Sequence, residues 1–397
     1  MAKKPGQSRY LREMTGQNNK NKTNKLSIVH LVYTMGLGGM EVSIAQQASD
    51  QKERGADVTV VCLYENGKKG EELKAKGIEV IALNLRRGRG MFNLIRPLNR
   101  ICKERKIDVI NNHVVGVEMQ TALVILWRRI KKSIYIIHAP VSYTRWRKWR
   151  GILQAKIANL CFDRIVMVSE ALKKHYARSF KIKPERISVV LNGVDPEVFY
   201  PRTIVPEERA KSLGLDFIEP NTFVVGTAVQ LKAYKDVPTL IRAAVRVKQK
   251  QGAGVMFVVA GVGPLKARLK ALVKELGIED CFKFVGWIKD MPNFLAAIDL
   301  LALTSVIEGL GTIVVQAMAT GLPVVVTDSI GVRDCIVNNE SGFMVAVSDD
   351  KAVADSIIKL INDRGLSKKM GKAGREKACK YFSFAKELDE YWDLIVN

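Results

Sequence analysis

The chain has 397 residues but only six cysteines and four histidines, and neither type is clustered. Cys62, Cys102, Cys161, Cys281, Cys335 and Cys379 include no CxxC pair, which excludes a zinc ribbon and a dense disulfide framework. They read as free thiols, four of them in apolar or helical contexts, in a reducing compartment. The histidines are spread from His30 to His175 without the spacing of a metal centre, so no metal is expected. No apolar run reaches the roughly 18 residues of a membrane span. The best one, Leu295–Val306, is short and carries Asp299. The start of the chain is basic and polar through Lys25, with none of the apolar character of a secretory signal. The expectation is a protein that is soluble or lies on a membrane without crossing it.

Acidic residues are scarce in one half only. Residues 1–200 hold 37 Lys and Arg against 17 Asp and Glu, a surplus of 20, whereas the rest hold 26 against 23. The net charge of +23 is therefore concentrated in the first half, which calls for a polyanionic partner there. Hydrophobic residues at 47% and charged ones at 26% are ordinary globular values. The length exceeds what one core usually supports, so two domains are expected.

Residues 1–25 are rich in Lys, Asn and Gln and read as disordered. From Leu26 to about residue 200, short apolar runs alternate with helical segments. The runs are Leu26–Tyr33, Asp57–Leu63, Ile78–Leu83, Val109–Asn111, Ile134–His138 and Arg164–Val168. Alternation of this kind predicts a parallel sheet covered by helices on both faces. It breaks over 201–220, read as a linker, and resumes with Phe223–Ala228, Met256–Ala260, Lys283–Val285, Leu300–Thr304 and Pro323–Thr327. The second domain is placed at 221–382. The expected architecture is α/β: two Rossmann-like, doubly wound domains facing across a cleft that gathers the carboxyl ends of both sheets.

Two loops carry candidate chemistry. Gly36-Leu37-Gly38-Gly39 follows the first strand and opens a helix. Glycines there let backbone N–H groups approach a phosphate, although a tight structural turn reads equally well. Ser305-Val306-Ile307-Glu308-Gly309-Leu310-Gly311-Thr312 follows a later strand and opens a helix through Gln316. A carboxylate at 308 can accept hydrogen bonds from sugar hydroxyls; the alternative is that Glu308 caps the helix. Eight residues separate Glu308 from Gln316, about two helical turns, which places both on one side. His138 follows an apolar strand, where a cleft residue and a satisfied core histidine are both natural readings. His113 is a second, weaker cleft candidate, while His30 and His175 read as structural or exposed.

With these pieces in order the sequence resembles the retaining nucleotide-sugar glycosyltransferases of family 4, which have the GT-B fold. The resemblance runs from about Leu26 to the C-terminus. It rests on Gly38-Gly39-Met40-Glu41, His138, Val168-Ser169, Asn192-Gly193-Val194-Asp195 with Phe199, Gly261-Val262-Gly263-Pro264 and Val285-Gly286. It continues through Glu308 to Gly311, Ala317-Met318-Ala319, Gly321-Leu322-Pro323-Val324 and Gly342-Phe343. The resemblance implies that Lys235 meets the donor diphosphate, Glu308 the transferred sugar, Gln316 the ribose, and His138 the sugar from the opposite domain. It further implies donor contacts at Gly38, Gly39, Gln230, Gly263, Gly286, Trp287, Gly309, Leu310, Gly311 and Thr312. The donor is expected to be UDP- or GDP-linked, with no metal and no cofactor, because cations and helix N-termini carry the diphosphate charge. The last helix, 383–397, is expected to return to the first domain. Two positions depart from the family: Gln230 stands where Arg is usual, and Gln316 where a second Glu is usual. Each removes a charge that a neutral amide does not replace.

The basic half has two clusters, Arg86-Arg87-Gly88-Arg89-Gly90-Met91-Phe92 and Tyr143-Thr144-Arg145-Trp146-Arg147-Lys148-Trp149-Arg150. Interleaved rings and cations suit an anionic membrane interface. They also suit single-stranded nucleic acid or, for either cluster alone, a solvated helix face. The transferase resemblance favours the membrane, with no nucleic acid expected. The combined reading is a bacterial-type enzyme at the cytoplasmic face of an inner membrane, moving sugar to a lipid-linked or lipopolysaccharide-type acceptor. The rivals are a nucleotide-sugar epimerase and a catalytically impaired relative that binds anionic lipid or nucleic acid.

Overall fold

The computed structural model describes residues 25–86, 93–140 and 148–397. Among the described residues thirteen strands form two sheets, and every pairing within them is parallel. The first sheet contains β1 (Ser27–Val32), β2 (Asp57–Cys62), β3 (Glu79–Ala82), β4 (Val109–Asn112), β5 (Lys132–Ile137), β6 (Arg164–Met167) and β7 (Ile187–Val189), in the order β3-β2-β1-β4-β5-β6-β7. The second contains β8 (Phe223–Ala228), β9 (Val255–Ala260), β10 (Phe282–Gly286), β11 (Leu300–Leu303), β12 (Val324–Thr327) and β13 (Phe343–Val345), in the order β10-β9-β8-β11-β12-β13.

Both orders reverse direction beside the first strand of their sheet, between β1 and β4 and between β8 and β11. Chains leaving adjacent strands there turn to opposite faces, which opens a crevice at the carboxyl ends. The strands at the middle of each sheet are buried: Ser27–Val32 is covered at all six positions and Val109–Asn112 and Leu300–Leu303 at all four, whereas the edge strands Glu79–Ala82 and Phe282–Gly286 are only partly covered. Near-continuous apolar strands are what a sheet covered on both faces requires.

The segment 201–220, expected to be a plain linker, carries a helix, Pro206–Leu213. Proline sits in its first turn, Glu207 and Glu208 follow, and Gly214 closes it in the left-handed region. Arg209 fastens it to the second domain through the Ala297 carbonyl and an ion pair with Asp299 at 2.6 Å. Residues 201–220 are thus part of the second domain's packing.

The last helix, Phe384–Val396, packs on the helix Gly39–Glu53 of the first domain. Tyr391 and Ile395 join the apolar cluster formed by Ile28, Ile44 and Val58. Arg54 pairs with Asp389 at 2.6 Å and lies over the Trp392 ring. Glu387 is buried there and accepts hydrogen bonds from Ser43 Oγ at 2.9 Å, Gln47 Nε2 at 3.3 Å and the Gly193 amide at 2.7 Å. Burial pushes its carboxyl up to about 7 despite those donors.

All six cysteines are free; four are buried, while Cys161 and Cys379 are partly exposed. Burial pushes Cys62 and Cys102 up to about 12, so neither thiol is ionised near neutral pH. Among the described residues no group of His, Cys, Asp or Glu is arranged to hold a metal ion, and no helix is long and apolar enough to cross a membrane.

Candidate active site

The two sheets meet through the loops at their carboxyl ends. Ser169, which caps the helix Glu170–Phe180, also donates from Oγ to the Gly309 carbonyl of the second domain at 2.7 Å. The Ala171 amide donates to Asp334 Oδ2 at 2.9 Å across the same junction. Gly309 lies so close to His138 that a Cβ there would collide with the His138 carbonyl oxygen. Only glycine permits this approach, and it sets Glu308 beside His138 at the domain junction.

Glu308 does not cap the following helix. That helix, Thr312–Ala319, starts four residues later with Gly311 at its N-cap. Gly311 has φ +81°, a left-handed conformation that favours glycine, and it turns the chain from the Glu308 loop into the helix. The expected two-turn register between Glu308 and Gln316 fails for the same reason. Glu308 precedes the helix, and Gln316 shares a helix face with Thr312 instead.

Glu308 is held by Lys235. The Nζ to Oε1 distance is 2.6 Å, and the side chains are only 16% and 11% exposed. Lys235 ends the short turn Ala233–Lys235 after β8, and Thr304 braces this turn by donating to the Asp236 carbonyl at 2.9 Å. This places a protected ion pair at the switch point of the second sheet. Its two partners come from the loops after β8 and β11, the strands that flank the crevice.

The opposite wall is the glycine turn. Gly38 is the N-cap of the helix Gly39–Glu53, and Glu41 folds back beneath it so that any Cβ at Gly38 would strike the Glu41 carboxylate. Burial raises the Glu41 carboxyl, while the nearby Lys232 cation opposes that rise. Gln230 reaches across from the second domain, its Nε2 3.4 Å from where a Gly38 Cβ would lie. Tyr234 donates to Gln230 Oε1 at 3.4 Å. Burial raises the Tyr234 hydroxyl, and the charges of Glu308 and Glu41 reinforce the rise from the two sides. Gln230, Lys232, Tyr234, Lys235, Gly38, Glu41 and Glu308 thus share one space.

Other expected site residues fall differently. Gly263 is needed by packing, because its Cβ position lies 2.5 Å from the Leu231 carbonyl oxygen. The Leu231 amide donates to Val262 and the Leu265 amide to Leu231, zipping the two loops together. The Leu310 side chain is 2% exposed, so it belongs to the core and offers a ligand only its backbone. Gly286 has φ +77° at the end of β10. Trp287 is exposed, and Lys68 of the first domain lies 5.0 Å from its ring centroid. Nothing local to Lys68 in the sequence signals a cleft.

Arg86 is exposed. Arg87, Arg89, Arg145, Trp146 and Arg147 lie outside the described residues, and Lys148, Trp149 and Arg150 open the helix Lys148–Cys161. His138, itself half-buried, ends a row whose other two histidines are buried: its Nε2 is 2.9 Å from His113 Nδ1, and His113 Nε2 is 2.9 Å from His30 Nδ1. His113, the weaker cleft candidate in the sequence, is thus a direct support of His138, and His30 is buried.

Comparison with known proteins fits this geometry. The family model described as Glycosyltransferase Family 4 matches residues 37–198, and that described as Glycosyl transferases group 1 matches residues 216–377. The chain is similar to the UDP-Gal:alpha-D-GlcNAc-diphosphoundecaprenol alpha-1,3-galactosyltransferase of Escherichia coli, with 25% identity over 95% of this chain and 100% of the relative. It is also similar to the lipopolysaccharide core biosynthesis glycosyltransferase LpsE of Rhizobium meliloti, with 30% identity over 49% of this chain and 54% of that one. Among solved structures, Anabaena Alr3699/HepE in complex with UDP and glucose superposes with a TM-score of 0.81 at 21% identity, covering 93% of this chain and 98% of that one. With two Rossmann-like domains, a Family 4 match over the first and a group 1 match over the second, the chain belongs to the GT-B glycosyltransferases.

Proposed function

We propose that the protein transfers a hexosyl unit from a nucleotide-sugar to a lipid-linked acceptor, with retention of anomeric configuration. The observation that carries this reading is the protected Lys235–Glu308 pair at the domain junction beside His138. A cation there meets a diphosphate, and the carboxylate it releases accepts hydroxyls of the sugar. The N-terminus of the helix Thr312–Ala319 adds favourable partial charge for the phosphates. Gln316 hydrogen-bonds the ribose. Gln230 contributes an amide in place of a charged fork, and Lys232 is the remaining nearby cation, partly engaged with Glu41.

In the transfer step the bond between the donor's anomeric carbon and its phosphate oxygen breaks. A bond from the same carbon to the acceptor oxygen forms on the same face. The acceptor proton passes to the departing phosphate oxygen, so no side chain is needed as general base. Groups preorganised around the departing charge supply most of the stabilisation.

The acceptor class is supported by the E. coli relative, whose name specifies a diphosphoundecaprenol substrate. It is also supported by an exposed apolar surface in the basic first domain. Met119, Leu123, Leu126 and Trp127 project from one helix, with Leu126 and Trp127 about two-thirds exposed, and Leu153 and Leu160 project from the helix packed beside it. Arg128, Arg129 and Lys131 follow directly. Apolar residues backed by cations suit the interface of an anionic membrane. None of these residues belongs to the Tyr143–Arg150 cluster singled out in the sequence.

Incubating the protein with a panel of labelled UDP- and GDP-hexoses and a polyprenyl-diphosphate-linked sugar tests the proposal. The expected product is an elongated lipid with the donor's anomeric configuration. An inverted product overturns retention, and no transfer from any donor overturns the acceptor and donor assignment.

A further inference from the structure

Three of the four histidines form a continuous row through the first domain. His30 lies on β1, His113 just past β4 and His138 just past β5, and these strands are neighbours in the order β1-β4-β5. Strand order therefore brings together rings that are far apart in sequence. The ring centroids are 5.2 Å apart at both steps, with planes inclined by 14° and 25°. At the inner end, His30 Nε2 is 2.8 Å from Gln51 Oε1 on the helix Gly39–Glu53. At the outer end, His138 Nδ1 is buried and has no hydrogen-bond partner among the described residues.

Burial holds all three rings neutral, with His30 and His138 lowered to about 4 and His113 well below its ordinary value. A neutral imidazole has one N–H donor and one lone pair. Each nitrogen-to-nitrogen contact needs one of each, so the direction of one bond dictates the next. Gln51 Oε1 only accepts. His30 therefore carries its proton on Nε2 and accepts at Nδ1 from His113 Nε2–H. His113 in turn accepts at Nδ1 from His138 Nε2–H, which leaves His138 Nδ1 as a lone pair.

We propose that Gln51, His30 and His113 are positioning residues that fix His138 as its Nε2–H tautomer, so that its unpartnered Nδ1 accepts a hydrogen bond from a hydroxyl of the transferred sugar. The assignment of the hydroxyl's source rests on the transferase reading; the tautomer does not. Gln51 acts from the far end of the row, through two intervening rings. A reversed carboxamide would reverse all the bonds and put a proton on His138 Nδ1, so the direction is measurable.

With only four histidines, ring-labelled ¹⁵N spectra of the ligand-free protein resolve each one. The expected result at neutral pH is a pyridine-like Nδ1 and a pyrrole-like Nε2 at His138. Gln51→Leu removes the anchor, and His138 then moves toward a mixture of tautomers while His175, outside the row, keeps its shifts. His30→Phe keeps an aromatic ring at that position but breaks the row, and gives the same change if Gln51→Leu does not fold. Equal tautomer populations weaken UDP-hexose binding about twofold, while UDP alone binds as before. A protonated His138 Nδ1 in the wild type, or a tautomer unmoved by both variants, overturns the proposal. Because the tautomer is read without donor, that failure leaves the transferase reading intact. A wild type that binds no nucleotide-sugar, with the expected tautomer in place, overturns only the sugar's part in it.

Discussion

Replacing Lys235 by alanine separates the electrostatic role of the cleft from its structural one. The ammonium lies 2.6 Å from Glu308 Oε1, and both side chains are more than four-fifths covered. Without it Glu308 is a largely desolvated carboxylate lacking a counter-charge, and breaking a buried pair costs about 3–5 kcal/mol. The partial exposure of this pair places the expected loss of stability at the lower end of that range. Donor recognition falls as well, since a hydrogen bond to a charged group contributes about 1.5–3 kcal/mol, or roughly tenfold to a hundredfold in kcat/KM. A double variant, Lys235→Met with Glu308→Gln, removes both charges and is expected to regain most of the stability but none of the activity. Denaturant unfolding measures the first quantity and steady-state transfer the second. If Lys235→Ala keeps its kcat/KM, Lys235 does not meet the diphosphate, and the donor site lies elsewhere.

Glu387 gives the chain a pH signature: its native carboxyl stays protonated to about pH 7, whereas unfolded it ionises near its ordinary value of 4.5. Stability is fully present below 4.5 and falls by on the order of 3 kcal/mol as pH rises to about 7. Thermal unfolding across this window should lose that slope in Glu387→Gln; an identical slope in both proteins contradicts it. Gly309→Ala places a Cβ against the His138 carbonyl. Overpacking of this kind costs about 1–3 kcal/mol and here also displaces the neighbouring Glu308, so unfolding and transfer assays should both show a loss. Serine at Leu126 and Trp127 removes two large apolar groups worth about 1.5–3 kcal/mol each when buried. Flotation with anionic vesicles should then fall at least tenfold, and wild-type binding that is equal on neutral vesicles counts against the membrane surface.

The alternation of apolar runs with helical segments was legible because parallel strands buried on both faces are nearly uninterrupted Val, Ile and Leu. Strands β7 and β13, at three residues each, were not read, since so short a run has no period to detect. The helix in 201–220 has its own signals in Pro206, Glu207, Glu208 and Gly214, but proline, glycine and charged residues are equally the composition of a linker. At the site, Glu308, Lys235 and His138 could be named from local pattern and family resemblance. What they do to one another could not. The Lys235–Glu308 pair joins loops 73 residues apart, and the Gln51–His30–His113–His138 row depends on the order β1-β4-β5. The close approach of Gly309 to His138 and of Lys68 to Trp287 requires the two domains to face each other. Such contacts belong to topology, and no sequence window contains them.

The central claim is that Glu308 faces the transferred sugar while it reacts. Contacts that strengthen as positive charge develops on the sugar ring affect kcat as well as binding. Gln316, by contrast, is proposed only to hold the ribose, so Gln316→Glu should leave kcat near the wild-type value. The decisive measurement is kcat for sugar transfer in a folded Glu308→Gln variant at saturating donor. The account predicts a severe fall with the nucleotide still bound, and a kcat equal to that of the wild type would contradict it.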